Sequence, residues 1–217
     1  MKFGIKSSVK SRFILISLTA SIGPWAVPAA MAATQPAHIA SFTADQPTQT
    51  LSTRHKGWRD PAFGDMGWTH FSDWGTFQAR KGHPVTITAV SSNPDIHPGI
   101  TVWYRGANDT APDTYVVDHF YAQSAPQFKL GATDESTGAV IGNIVMSLST
   151  FGYDLDGQSK ALRNLRGKRD GVPGQLVIKW VPQNTGTFMF VLGAVNPGPG
   201  ASDSTIRYDI ETTVIAK

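Results

Sequence analysis

The sequence predicts an all-β fold: a single β-sandwich domain over 57–217, mostly antiparallel, with long loops and room for one short helix. Two observations predict it. Apolar and polar residues alternate with period two in several short runs, each bounded by Gly, Pro, Asn or Asp. The runs recur at short spacing with no internal repeat and no low-complexity linker, the pattern of strands stacked in layers.

Taken in order, residues 33–56 form a polar lead-in containing Pro and Thr. "PVTITAV" (84–90) sets Val85, Ile87 and Ala89 against Thr86, Thr88 and Val90, and "GITVWYRG" (99–106) is β-branched and aromatic. "GQLVIKWVP" (174–182) places Leu176, Ile178 and Trp180 on one face and Lys179 on the other. "GTFMFVLGAV" (186–195) and "TIRYDIETTVI" (205–215) behave alike. "GAVIGNIVMSLSTF" (138–151) fits a helix or a fully buried strand. "NDTAPD" (108–113) and "NPGPGASDS" (196–204) read as exposed loops, and Trp58, Trp74, Trp103 and Trp180 as core anchors.

The first residues stand apart from this pattern. Lys2, Lys6, Lys10 and Arg12 lead into an apolar run from Phe13 to Ile22, and Ala30-Met31-Ala32 offers a small-residue cleavage site. That is the three-part pattern of a secretory signal peptide over 1–32, so the chain is expected in the periplasm or at the cell surface of a bacterium. No other run is apolar and long enough to cross a bilayer, so no transmembrane segment is expected in the mature chain. The formal charge of +3 depends on the leader: its four cations removed, the rest is almost balanced. A nucleic-acid partner therefore loses its main support. The one local basic run, "KALRNLRGKRDG" (160–171), reads as a solvated loop or short helix. With no cysteine, thiolate metal sites, a Cys nucleophile and disulfides are all excluded.

Histidine then carries the chemistry. Of the six, His38 and His55 lie in the lead-in, and His83 and His97 at turns. His70 lies in the aromatic cluster "GDMGWTHFSDWGTF" (64–77), and His119 in "YVVDHFYAQ". If 66–71 is a strand, Trp68 and His70 project from one face. An imidazole in apolar company needs hydrogen-bond partners or a metal, and neutral imidazole suits copper, zinc, iron and nickel. Nitrogen ligands without thiolate, in an exported chain with few methionines, lean towards copper. A brace built on His38 as a mature N-terminus is the weaker copper alternative, because cleavage after Ala37 would put Gln35 at a position that favours small residues.

"MGWTH" (66–70), "WGTFQARKGHPVTITA" (74–89), "HPGITVWYRG" (97–106) and "DHFY" (118–121) together resemble the surface-associated copper(I)-binding proteins of methane-oxidising bacteria, the CorA/MopE-type group. The resemblance covers 57–121 well and the rest in general character. It implies one copper ion held by His70 and His119, with Trp68 as the tryptophan converted to kynurenine and thereby a third ligand. Ring opening exposes an aryl amine, whereas intact indole is donor-only. Copper acquisition or storage outside the cell follows as the expected role, with other cell-surface or outer-membrane copper-uptake proteins as partners.

No enzyme is expected: the chain has no G-x-S-x-G elbow, no H-E-x-x-H and no glycine-rich phosphate loop. "DLDGQS" (154–159) lacks the spacing and terminal Glu of a calcium loop and reads as a turn. The rival from another class is a β-sandwich interaction module that binds glycan or protein through exposed aromatics.

Overall fold

The computed structural model describes residues 39–61, 67, 69, 71–111, 132–133, 140–142, 145–157, 167–195, 203 and 205–217. Among these, the regular structure is strand. A six-stranded sheet runs in the order β1 (Ile39–Phe42), β3 (Asp73–Ala79), β11 (Gly186–Ala194), β5 (Pro98–Arg105), β8 (Met146–Asp154) and β9 (Gly167–Lys168). A four-stranded sheet runs β10 (Gln175–Trp180), β4 (Val85–Ser91), β12 (Tyr208–Ala216) and β2 (Thr48–Thr53). A small ribbon pairs β6 (Ala132–Thr133) with β7 (Val140–Gly142). The pairings are antiparallel except β1 with β3 and β8 with β9, so the fold is the all-β sandwich that the sequence predicts.

Alternation decides which side chains meet between the sheets. Phe77 and Ala79, Phe188, Phe190, Leu192 and Ala194, and Ile100 and Val102 point inward from the six-stranded sheet. Leu51, Val85, Ile87, Ala89, Leu176, Ile178, Ile210 and Val214 answer from the other. Aromatic rings give this core its grain: Phe77 stacks on Phe188 at 5.6 Å, Trp180 meets Phe77 edge-on at 6.2 Å, and Tyr104 tilts onto Phe188 at 5.3 Å. Trp58, Trp74 and Trp103 are buried as expected, whereas Trp180 is half-buried and packs against the core.

The strands expected at 84–90, 99–106, 174–182, 186–195 and 205–215 are all present. Four features differ from expectation. The polar lead-in contributes β1 and β2, one to each sheet, because backbone pairing needs few apolar side chains at an edge. The ambiguous 138–151 run holds β7 and the start of β8, and β8 is half-exposed over its first residues rather than fully buried. In the described part of the 108–113 segment Asn108 and Thr110 are exposed as expected, but Asp109 is pinned: Arg105 donates to both of its carboxylate oxygens, and the carboxylate accepts from Ala111 N–H. The end of the basic run forms β9 beside β8. The loop at 196–204 lies outside the described residues apart from Asp203, which is exposed.

The six-stranded sheet is buried on its second face as well. Trp74 and Thr76, Met189 and Val191, and Thr101 and Trp103 all point away from the core between the sheets, yet each is buried. The four-stranded sheet instead turns Lys179, Glu211 and half-buried Thr86 and Thr88 outward. Gly57, Trp58 and Gly67 lie over the covered face.

Candidate metal centre

Residues 54–58 and, of the stretch that follows, Gly67, Thr69, Phe71 and Ser72 gather at the outer face of the six-stranded sheet, and glycines make room for them. Gly99 and Gly193 face each other across β5 and β11. A Cβ on Gly99 would enter the indole of Trp58, and one on Gly193 would enter the backbone of Gly57. The pair therefore forms a slot in which residues 57–58 lie flat on the sheet. Trp58 is fixed there twice: its backbone N–H donates to Ala194 O at 3.0 Å, and its indole Nε1–H donates to Thr101 Oγ1 at 2.9 Å. Its ring tilts on Tyr153 at 5.7 Å. Burial pushes the Tyr153 phenol up, with the Asp60 carboxylate adding to the shift, so it stays a neutral packing group.

Gly67 packs on the same threonine. Its φ of +92° belongs to the left-handed region, and a Cβ there would collide with the Thr101 side chain. Glycine immediately before Trp68 is thus required by both backbone and space. Beyond it the chain turns back through hydroxyl groups. Ser72 Oγ accepts from Thr69 N–H at 2.8 Å and donates to Gly57 O. Ser72 N–H donates to Thr69 O at 3.2 Å, and Thr69 Oγ1 accepts from Phe71 N–H at 3.1 Å. Phe71 O accepts from Thr53 Oγ1–H at 2.8 Å and from Arg54 N–H at 3.3 Å, while the Arg54 guanidinium sits 5.2 Å from the centre of the Phe71 ring.

This corrects one expectation. The described residues of 66–71 do not form a strand: Gly67 is a bend, Thr69 lies in loop, Phe71 opens a turn, and β3 begins only at Asp73. The physical reason is local, since Thr69 and Ser72 hydroxyls take up backbone groups that a ladder would otherwise use. Trp68, His70 and His119 themselves lie outside the described residues, as do His38 and Asp118. Trp74, read as support for the cluster, is buried on the outer face, paired in register with Val191 and Ile39.

The remaining histidines divide by burial. His83 is exposed at the turn before β4, as expected. His97 is buried and its Nδ1 lies 2.7 Å from Asp154 Oδ2, which also accepts from Gly174 N–H at 2.7 Å. Asp154 Oδ1 accepts from Asp156 N–H at 2.8 Å, so one carboxylate joins the starts of β5 and β10 to the end of β8. Asp156 in turn accepts from Asp170 and Gly171 N–H at 2.7 and 2.9 Å. Burial pushes its pKa up, but those two donors more than offset burial and hold the carboxyl below its usual range. "DLDG" is therefore a carboxylate-pinned turn, as the sequence suggests. His55 is buried in the turn between β2 and Trp58, and its Nδ1 has no hydrogen-bond partner among the described residues. Thr53, Thr69, Ser72 and the slot glycines form no motif in the sequence. The available signal was a pair of glycines inside two otherwise apolar strand runs. Among the described residues no three His, Asp or Glu side chains converge as a metal site, and no helix is long and apolar enough to cross a membrane.

Comparison with known proteins bears on what this frame carries. A family described as "Copper(I)-binding protein CorA-like" matches residues 29–202. The structure is similar to that of CorA, a surface-associated copper-binding protein important in copper acquisition in Methylomicrobium album BG8. The two share 32% identity and a TM-score of 0.68 over 84% of this chain and 99% of that one. It is also similar to MopE, a secreted protein of Methylococcus capsulatus in which an oxidized tryptophan facilitates copper binding. Here identity is 15% and the TM-score 0.52, over 82% of this chain and 87% of that one, a likeness of fold. No curated protein matches the chain.

Proposed function

The chain belongs to the family of CorA-like copper(I)-binding proteins, and on that premise we propose that it holds one copper ion as Cu(I) outside the cell, for acquisition or storage. His70 and His119 are the ligands, and Trp68, once opened to kynurenine, adds its aryl amine as a third. Residues 1–32 act as the export leader, and the remainder works in the periplasm or at the cell surface. Copper is cargo here, and the role is binding and delivery rather than catalysis, in line with the copper-acquisition role described for the M. album relative.

The observation that carries the reading is the span of the family match. It runs from residue 29 to 202 and so takes in both the W-x-H and the DHFY stretches, at the positions where the sequence resemblance puts the ligands. The donor chemistry supports it: two neutral imidazoles form a nitrogen site of low coordination, which suits monovalent copper in a chain without cysteine. An oxidized tryptophan facilitates copper binding in MopE, and Trp68 is the residue here that stands two before a histidine.

The test is made on mature protein from its native host. Metal content and the mass of the peptide carrying Trp68 are measured in one sample. Stoichiometric copper with a mass change matching ring opening is expected, and His70→Ala and His119→Ala should each abolish tight binding. An intact Trp68 with no copper under copper-replete conditions would overturn the reading and leave the interaction module.

A further inference from the structure

We propose that Thr69 and Ser72 are positioning residues for the copper site: their hydroxyls set the backbone on either side of His70 before metal arrives. The inference rests on His70 being a ligand, and goes beyond it by naming what holds the residues on either side of it.

A ligand on a loop is normally a weak design, because loop backbone moves and each misplacement costs affinity. Here the four peptide groups that flank His70 are all occupied. Thr69 N–H is taken by Ser72 Oγ and Thr69 C=O by Ser72 N–H. Phe71 N–H is taken by Thr69 Oγ1, and Phe71 C=O by Thr53 Oγ1–H and Arg54 N–H. The clamp is anchored rather than self-contained, since Ser72 Oγ also reaches Gly57 O, and Gly57 lies in the glycine slot of the sheet. Ser72 is buried, so no bulk water competes for its hydroxyl. On the other side of Trp68, Gly67 is seated against Thr101. Both candidate ligands of this segment are thus bracketed by residues whose positions the sheet dictates.

The mechanism is preorganisation. A backbone already fixed loses little further entropy when the imidazole closes on the metal. Without the hydroxyls, Thr69 N–H and Phe71 N–H would seek water, and the loop would sample geometries that do not bind. Thr69 and Ser72 act through the backbone and need not touch the metal.

The experiment uses the full exported chain, stripped of metal and titrated with Cu(I) against a chromophoric chelator, well below the melting temperature of each variant. Thr69→Val keeps shape and removes the hydroxyl, Thr69→Ser restores it, Ser72→Ala removes the second hydroxyl, and His70→Ala is the reference. Thr69→Val and Ser72→Ala should each weaken copper binding about tenfold or more, the scale of outer-shell partners at metal sites, and Thr69→Ser should recover near wild-type affinity. Lower melting temperatures with unchanged affinity would make the hydroxyls merely structural and overturn the proposal while His70→Ala still lost copper. Unchanged binding in His70→Ala would remove the ligand assignment and the clamp's role with it. Should Ser72→Ala not fold, the Thr69→Val and Thr69→Ser pair decides alone: no difference between them overturns the proposal.

Discussion

The two sheets of this sandwich share one core and differ in what lies behind them. Behind the four-stranded sheet is solvent, met by Lys179, Glu211 and a threonine row in which Thr48 and Thr213 share a hydroxyl hydrogen bond of 2.8 Å. Behind the six-stranded sheet is a second packed layer, so that Thr101 and Val191 are as inaccessible as the core itself. The difference teaches where this fold keeps its function. A half-solvated sheet needs only to close the core, whereas a sheet buried on both faces can fix the loops that lie on it. The segment containing Trp68 and His70 begins and ends on that fixed surface.

Placing bulk under the outer layer should produce the largest effect. In Gly193→Ala the new methyl meets Gly57 backbone rather than a side chain that could swing away. The turn must lift, and the Trp58 N–H to Ala194 bond goes with it. A loss of about 3 kcal/mol is expected in denaturant unfolding, the upper range for overpacking. Lys179→Ala on the exposed face of the other sheet should stay within about 0.5 kcal/mol. Equal effects would mean that the second layer carries no structural weight.

The same asymmetry explains what could be read from the sequence. β4, β10 and β12 belong to the half-solvated sheet and announce themselves by alternation, as in Val85, Ile87 and Ala89 against threonines. β5 and β11 are buried on both faces, so their runs are nearly continuous, legible as strands but silent about which face does what. β1 and β2 are edge strands with few apolar residues, which is why 33–56 reads as a polar lead-in. The ligand candidates were legible as chemistry, through W-x-H and DHFY, but not as geometry. Nothing in "GWTHFS" states that Gly67 takes a positive φ or that Ser72 turns back on Thr69, because both follow from the sheet beneath.

An intermediate effect is expected from Trp58→Phe, which keeps the aromatic body on Gly99 and removes the indole N–H. Thr101 Oγ1 then loses its donor in a site without solvent, and the smaller ring leaves a gap. About 2 kcal/mol should be lost, from the hydrogen bond and the void together. Thermal unfolding and copper affinity measured on one preparation would sharpen the comparison: stability should fall, and affinity should fall with it if the seat of Gly67 on Thr101 is passed on to Trp68.

The smallest effect is a pH dependence, and it probes the end of the sandwich where the two sheets are joined. Asp156 receives the N–H groups of Asp170 and Gly171 just ahead of β10, and its carboxyl lies below the usual range in the folded state. A carboxyl depressed on folding contributes stability that is fully present above its unfolded pKa of about 3.9 and is lost as pH falls through the folded value. Acid should therefore loosen the 154–157 turn from its contacts below about pH 4, while leaving neutral-pH stability untouched. Asp156→Asn keeps an acceptor for the two N–H groups but cannot titrate. Its unfolding midpoint should be lower than wild type at neutral pH and converge on it as the pH drops, because only wild type has this contribution to lose. Parallel curves across that range would show that the turn is held by Asp154 and its bond to His97, with Asp156 a bystander.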